Sequence, residues 1–154
     1  VTRTPPAHPA TARGLITDLH GHWLIVRPTG DHRWHLPGGL IEQNESPAAA
    51  CRREVREELG LDLEPGPLHA LGWNPPVRPG RSARFTFIFA MGTHDAAALA
   101  ARIHLRESEL DAWQWSRPDQ ALGMLHPDLA ERLTTARATV PSAVYVESPE
   151  PGDH

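Results

Sequence analysis

Lysine is absent: all fifteen basic side chains are arginine. That excludes a Schiff-base or other catalytic lysine, and it excludes a Walker-type phosphate loop, whose lysine must reach the phosphates. A single cysteine, Cys51, rules out an intramolecular disulfide and fits a reducing compartment. No apolar run reaches the roughly 18 residues of a membrane span. The opening VTRTPPAHPATARG lacks the apolar core of a secretory leader. The expected location is therefore cytoplasmic, with no membrane partner. Nor is there a long basic run. A formal charge of −4 and a pI near 6.2 count against nucleic acid as a partner, because a phosphate backbone demands a concentrated cationic surface.

What is present suffices for one domain. The chain has 154 residues, 40% of them hydrophobic, enough for a single sizeable core. Residues 1–10, rich in Pro and Ala, read as a flexible arm, 11–140 as the folded domain, and 141–154, acidic and Pro-rich, as a mobile tail. GLITDLHGHWLIVRP, Gly14 to Pro28, predicts two strands around a Leu19–Gly21 turn. RWHLPGG adds a short apolar stretch that stops at Pro37. Leu68–Trp73, Ala83–Met91 and Ala112–Ser116 read as further strands, and Pro127–Thr139 as a closing helix. A first helix is expected from Ser46, a cap followed by Pro47, to Gly60, a stop. Strands interspersed with two helices predict an α/β fold, a mixed sheet with helices packed on it.

That first helix carries an electrostatic problem. His35 to Leu61 holds five carboxylates, and Glu54, Glu57 and Glu58 fall within five positions. On a helix of about 100° per residue, Ala48, Cys51, Val55 and Leu59 form the apolar stripe, and the three acids share a neighbouring arc. Like charges at i,i+4 repel by a few tenths of a kcal/mol, and the acids sit toward the helix end that disfavours anions. Arg53 offsets part of this. A bound divalent cation would offset far more, and clustered oxygens suit Mg²⁺ or Mn²⁺ rather than zinc.

Gly39, Glu45, Arg53, Glu54, Val55, Glu57, Glu58, Gly60 and Leu61 match G-x5-E-x7-R-E-U-x-E-E-x-G-U at every defined position, U being a bulky aliphatic. The segment resembles the Nudix box, and the strand order over about residues 8–140 is similar to the Nudix α/β/α sandwich. The resemblance implies a single-domain, metal-dependent hydrolase of a nucleoside diphosphate linked to another group. The small-molecule partner would be a (d)NTP, ADP-ribose or a nucleotide sugar, and a homodimer is left open. It implies Mg²⁺, with Mn²⁺ as a substitute, held by Glu54, Glu57, Glu58 and the Gly38 carbonyl. Arg53 would orient a neighbouring Glu, and Glu45 would tie the loop to the helix.

The general base belongs either to the box or to RESELDAWQWS, which resembles the family's acidic segment before a Trp-bearing strand. Glu107 and Glu109 are its candidates, with Glu109 preferred. Arg78, Arg81 and Arg84 could clamp phosphates bidentately, and His35, beside the box, is the one histidine singled out. Trp34, Trp73, Trp113 and Trp115 could stack a base or fill the core. Two alternatives stand beside this reading: hydrolysis of a non-nucleotide diphosphate such as a prenyl diphosphate, and a sensor that binds nucleotide without turnover. An isomerase would need a reactive cysteine, and Cys51 falls on the buried stripe.

Overall fold

The computed structural model describes residues 3–138 and Tyr145. Its centre is a six-stranded mixed sheet built from β1 (Ala10–Asp18), β2 (Trp23–Pro28), β3 (Gly38–Leu40), β4 (Leu68–Asn74), β5 (Arg84–His94) and β6 (Leu110–Ser116). The order is β4-β5-β1-β2-β6, with β3 paired to β1. β1 runs parallel to β5, and the other pairings are antiparallel.

Period-two alternation gives the sheet two apolar faces. On one, Ala12, Ile16, Leu24 and Val26 meet Ala50, Cys51, Val55 and Leu59 of α1 (Pro47–Leu59). On the other, Leu15, Trp23, Ile25 and Ile88 meet Ala121 of α3 (Pro118–Met124) and Leu129 and Leu133 of α4 (Pro127–Ala138). Layers on both faces make the α/β/α sandwich. Each fully buried Leu, Ile or Val contributes on the order of 1.5–3 kcal/mol.

α1 begins and ends where its sequence dictates. Ser46 Oγ accepts the Ala49 N–H at 3.2 Å, Pro47 takes the first turn, and Gly60 closes it at φ 71°, donating its N–H to Arg56 O. Ser46→Ala should cost about 1 kcal/mol, read as a lower urea midpoint with an unchanged slope.

Several elements differ from expectation. There are four helices among the described residues, not two: α2 (Ala96–Ala100) is capped by Asp95, whose Oδ1 accepts the Ala98 N–H, and α3 starts on Pro118. Pro37 does not end the pairing beyond Trp34 and His35; β3 resumes at Gly38. β1 starts inside the segment read as an arm, and Pro9 O accepts the Phe85 N–H. The tail lies outside the described residues except for Tyr145, whose ring stands edge-on to Phe89 with centroids 5.0 Å apart. Among the described residues no helix is long and apolar enough to cross a membrane.

Candidate active site

α1 presents its three acids at different depths. Glu58 is 8% exposed, Glu54 is half-buried and Glu57 faces solvent. The wheel puts them on one arc at the edge of the buried face, but β1 and β3 lie against the helix and cover part of that arc. Glu58 turns inward, and its Oε2 accepts the Gly38 N–H at 2.8 Å. Glu54 and Glu57 turn to Arg53 Nη1, at 2.9 and 3.2 Å. Among the described residues no three acidic or imidazole side chains converge tightly enough to grip an ion as they stand.

Two of them nonetheless bear on one stretch of backbone, the glycine pair that opens β3. A Cβ at Gly39 would stand 2.6 and 2.8 Å from the Glu54 carboxylate oxygens, so Glu54 and Glu58 both lie against Gly38–Gly39. Burial pushes the Glu58 carboxyl up to about 7; the Gly38 N–H and Arg13 oppose the rise, and Glu54 and Glu109 add to it. Burial raises Glu54 as well, against Arg53 and with Glu57 and Glu109. Clustered oxygen donors, beside two glycines of β3 that carry no side chain, fit a hard divalent cation such as Mg²⁺ or Mn²⁺.

Arg53 is more than a surface pair. It donates to Glu45 at 2.7 and 3.0 Å and to Leu40 O at 3.0 Å, besides Glu54 and Glu57. These bonds, led by Glu45, hold its pKa above the ordinary arginine value. Glu45 Oε2 also accepts the Glu42 N–H at 3.0 Å, so the pair fastens the loop before the helix to the helix itself.

The segment carrying Glu109 is docked on the end of α1. His104 and Arg106 donate their N–H groups to Leu59 O and Glu58 O at 2.9 and 3.0 Å, using carbonyls that a helix terminus leaves free. Arg106 Nη1 lies 3.3 Å from Glu109 and 3.8 Å from Glu57. Glu107 and Glu109 are both exposed, and it is Glu109 whose charge acts on Glu54 and Glu58. Arg106 is absent from the candidates chosen by motif; its position among acids in RESEL is the signal for it.

Beside this cluster opens a cavity of about 690 Å³. His35, Arg78, Arg81 and Arg84 all line it, so folding brings together the four residues singled out for substrate. Arg13 and Arg132, which the motifs do not indicate, line it too. Arg13 joins the two regions. The β1–β3 register sets it opposite Gly38, and its Nη1 donates to Leu36 O at 2.8 Å and Gly38 O at 3.3 Å. In the sequence Arg13 is one of two charged residues of β1, with Asp18, and nothing local marks it.

His35 stacks on His126 with ring centroids 5.7 Å apart. Burial, reinforced by the charges of Arg13 and His126, lowers its pKa to about 4, so it is neutral at pH 7. Of the tryptophans, Trp113 and Trp115 pack on the core, Trp34 lies under the Arg27 guanidinium at 5.5 Å, and Trp73 is 58% exposed. Cys51 is buried against Met91 Sδ at 3.6 Å, and burial raises its thiol to about 12, which makes it inert.

Residues 7–136 match the family model described as the NUDIX domain. The chain is 27% identical over 139 residues to a MutT-like protein of Streptomyces ambofaciens, spanning 86% of this chain and 79% of that protein. It is 24% identical over 130 residues to the phosphatase NudJ of Escherichia coli, spanning 81% of each. Among solved structures, the MutT protein of Methanosarcina mazei Go1 superposes with a TM-score of 0.72 at 20% identity, over 88% of this chain and 97% of that one.

Proposed function

The chain belongs to the Nudix family of pyrophosphohydrolases, and on that premise we propose that it cleaves the diphosphate bond of a nucleoside diphosphate linked to a second group. The observation that carries this reading is a junction. The carboxylates against Gly38–Gly39 adjoin a cavity lined by arginines, and Arg13 belongs to both.

Glu54, Glu57, Glu58 and the Gly38 carbonyl would hold Mg²⁺, or Mn²⁺ in its place. Such a cation, when bound, supplies neutralisation of the diphosphate oxygens, without which water cannot approach phosphorus. The protein's own groups do the rest. Arg53 fixes the orientation of Glu54 and Glu57. Arg78, Arg81 and Arg84 bind phosphate oxygens, and neutral His35 offers a hydrogen bond beside them. Glu109, exposed and close enough to act on Glu54 and Glu58, takes the proton of the attacking water. The water oxygen bonds to phosphorus as the bridging P–O bond breaks, and the two phosphate products leave separately.

A screen with Mg²⁺ across dNTPs, nucleotide sugars, ADP-ribose, dinucleoside polyphosphates and prenyl diphosphates, with phosphorus products resolved by chromatography, tests this. Hydrolysis of at least one nucleotide, abolished by a chelator, is the expected result. Tight binding of one compound with no product from any would replace the enzyme by a sensor. Cleavage of prenyl diphosphates alone would move the substrate outside nucleotides.

A further inference from the structure

The cavity wall holds five guanidiniums, from Arg13, Arg78, Arg81, Arg84 and Arg132. Several arginines elsewhere find carboxylates: Arg27 pairs with Asp111 and Arg52 with Asp62, both at 2.7 Å, and Arg137 with Asp119 at 3.2 Å. Among the described residues no ion pair forms to any of the five in the cavity. The only carboxylate in the wall, among the described residues, is Asp128, and it accepts instead from Asn74 Nδ2 at 2.9 Å. A single solvated arginine is ordinary. Five on one concavity repel each other: Arg13 feels the attraction of Glu58 and Glu54 first, yet Arg84 is near enough for its repulsion to act there too.

The wall is as informative for what it omits. Among the described residues it includes no Phe, Tyr or Trp. Trp73 lines an adjoining cavity of about 410 Å³ on the β4 side, which shares Asn74, Pro75, Asp128 and Arg132 with the first. Among the described residues the only rings in the wall besides prolines are the His35 and His126 imidazoles, and its apolar surface is Val77, Leu129 and the prolines. Its volume lies in the few-hundred to about 1,000 Å³ range of small-molecule sites, which suits a metabolite rather than a nucleic-acid strand.

We propose that this cavity receives a further phosphate carried by the substrate beyond its scissile diphosphate, so that the preferred substrates are diphosphates bearing an additional phosphomonoester rather than a neutral sugar or alcohol. The proposal rests on the hydrolase reading only for where the scissile bond lies, beside Gly38 and α1. Arg13, at the junction, sets the two phosphate sites side by side. Planar guanidiniums grip phosphate oxygens in pairs, and each such charged hydrogen bond formed away from bulk water changes affinity by about tenfold or more.

The test is affinity within matched pairs that differ by one phosphate: NADPH against NADH, and coenzyme A against 3′-dephospho-coenzyme A. Titration calorimetry on the full chain in chelator, at low salt, reads binding without turnover. The phosphorylated member should bind about tenfold tighter or more in at least one pair. Combining Arg84→Gln with Arg132→Gln should bring that ratio below about two, and Arg81→Gln, on an exposed loop, should lower it part of the way even if the double variant unfolds. A wild-type ratio below about two in both pairs, or no measurable binding of either phosphorylated compound, overturns the proposal. So does a ratio that both variants leave intact. Because no step depends on turnover, failure here leaves the hydrolase reading standing. Absence of hydrolysis with Mg²⁺ would in turn leave the affinity ratio standing.

Discussion

Turnover falls at least about 100-fold when Glu57 or Glu58 is replaced by Gln, because each change removes a negative charge from the proposed cation site while keeping its shape. The two residues reach that result from different surroundings. Glu58→Gln retains a side-chain oxygen to accept the Gly38 N–H, so the loop stays in place and only charge is lost. Glu57 is exposed and ion-paired to Arg53, so its neutral replacement also leaves Arg53 freer to close on Glu54 and Glu45. Steady-state kinetics against Mg²⁺ concentration separates a ligand from a structural residue. Both variants should need more Mg²⁺ for half-maximal rate as well as turning over more slowly. Full activity in both would remove the acidic cluster from the mechanism.

Stability supplies an independent control for Glu58. Its carboxyl ordinarily titrates near 4.5 and is held up to about 7 by burial. Between those values the folded chain binds the proton more tightly than the unfolded chain does, so stability falls as pH rises through this window. The contribution is fully present below 4.5 and gone above about 7, worth up to about 3 kcal/mol. Metal-free Glu58→Gln should therefore melt no lower than the wild type at pH 8, and higher if the full effect is realised. An inactive variant that is at least as stable as its parent has lost chemistry, not its fold.

The elements legible in the sequence are those with strong local signals. α1 carries its cap, first-turn proline, apolar stripe and terminal glycine within fifteen consecutive residues, Ser46 to Gly60. The β1–β2 hairpin shows two apolar runs around a glycine turn. α2 and α3, at five and seven residues, span two turns or fewer and leave no helical period to read. The acidic box identified the chemistry, but not the depth of each acid, which depends on β1 and β3 covering the Glu58 side of the helix. Arg13 looks like the polar residue of a half-buried strand until pairing sets it opposite Gly38, 25 positions away. The overall charge of −4 pointed away from any concentrated cationic surface. Yet arginines from β1, the loop before β5, β5 itself and α4 meet in one cavity only after the chain folds. Average charge cannot report a local field.

Gly38 and Gly39 are neighbours in the box region, and substitution by alanine should break the protein in opposite ways. At Gly38, φ is 138°, a region costly for any residue with a Cβ, and the added carbon would stand 2.2 Å from Ala12 O and 2.7 Å from Arg13 Cα. Those are backbone atoms of the central strand β1, which cannot yield without disturbing its pairing to β3 and β5. Strain and overpacking together should cost about 3 kcal/mol or more, seen as a large fall in melting temperature and in urea midpoint. At Gly39 the colliding group is the Glu54 carboxylate, the far end of a flexible side chain. It can swing away at a cost under about 1 kcal/mol, but it then leaves its place against the glycine pair of β3. Gly39→Ala should fold nearly as well as the parent while kcat/KM falls about 10- to 100-fold. An active Gly39→Ala enzyme would mean that Glu54 need not lie against the glycine pair; a stable Gly38→Ala would mean that β1 tolerates a movement its two pairings should forbid.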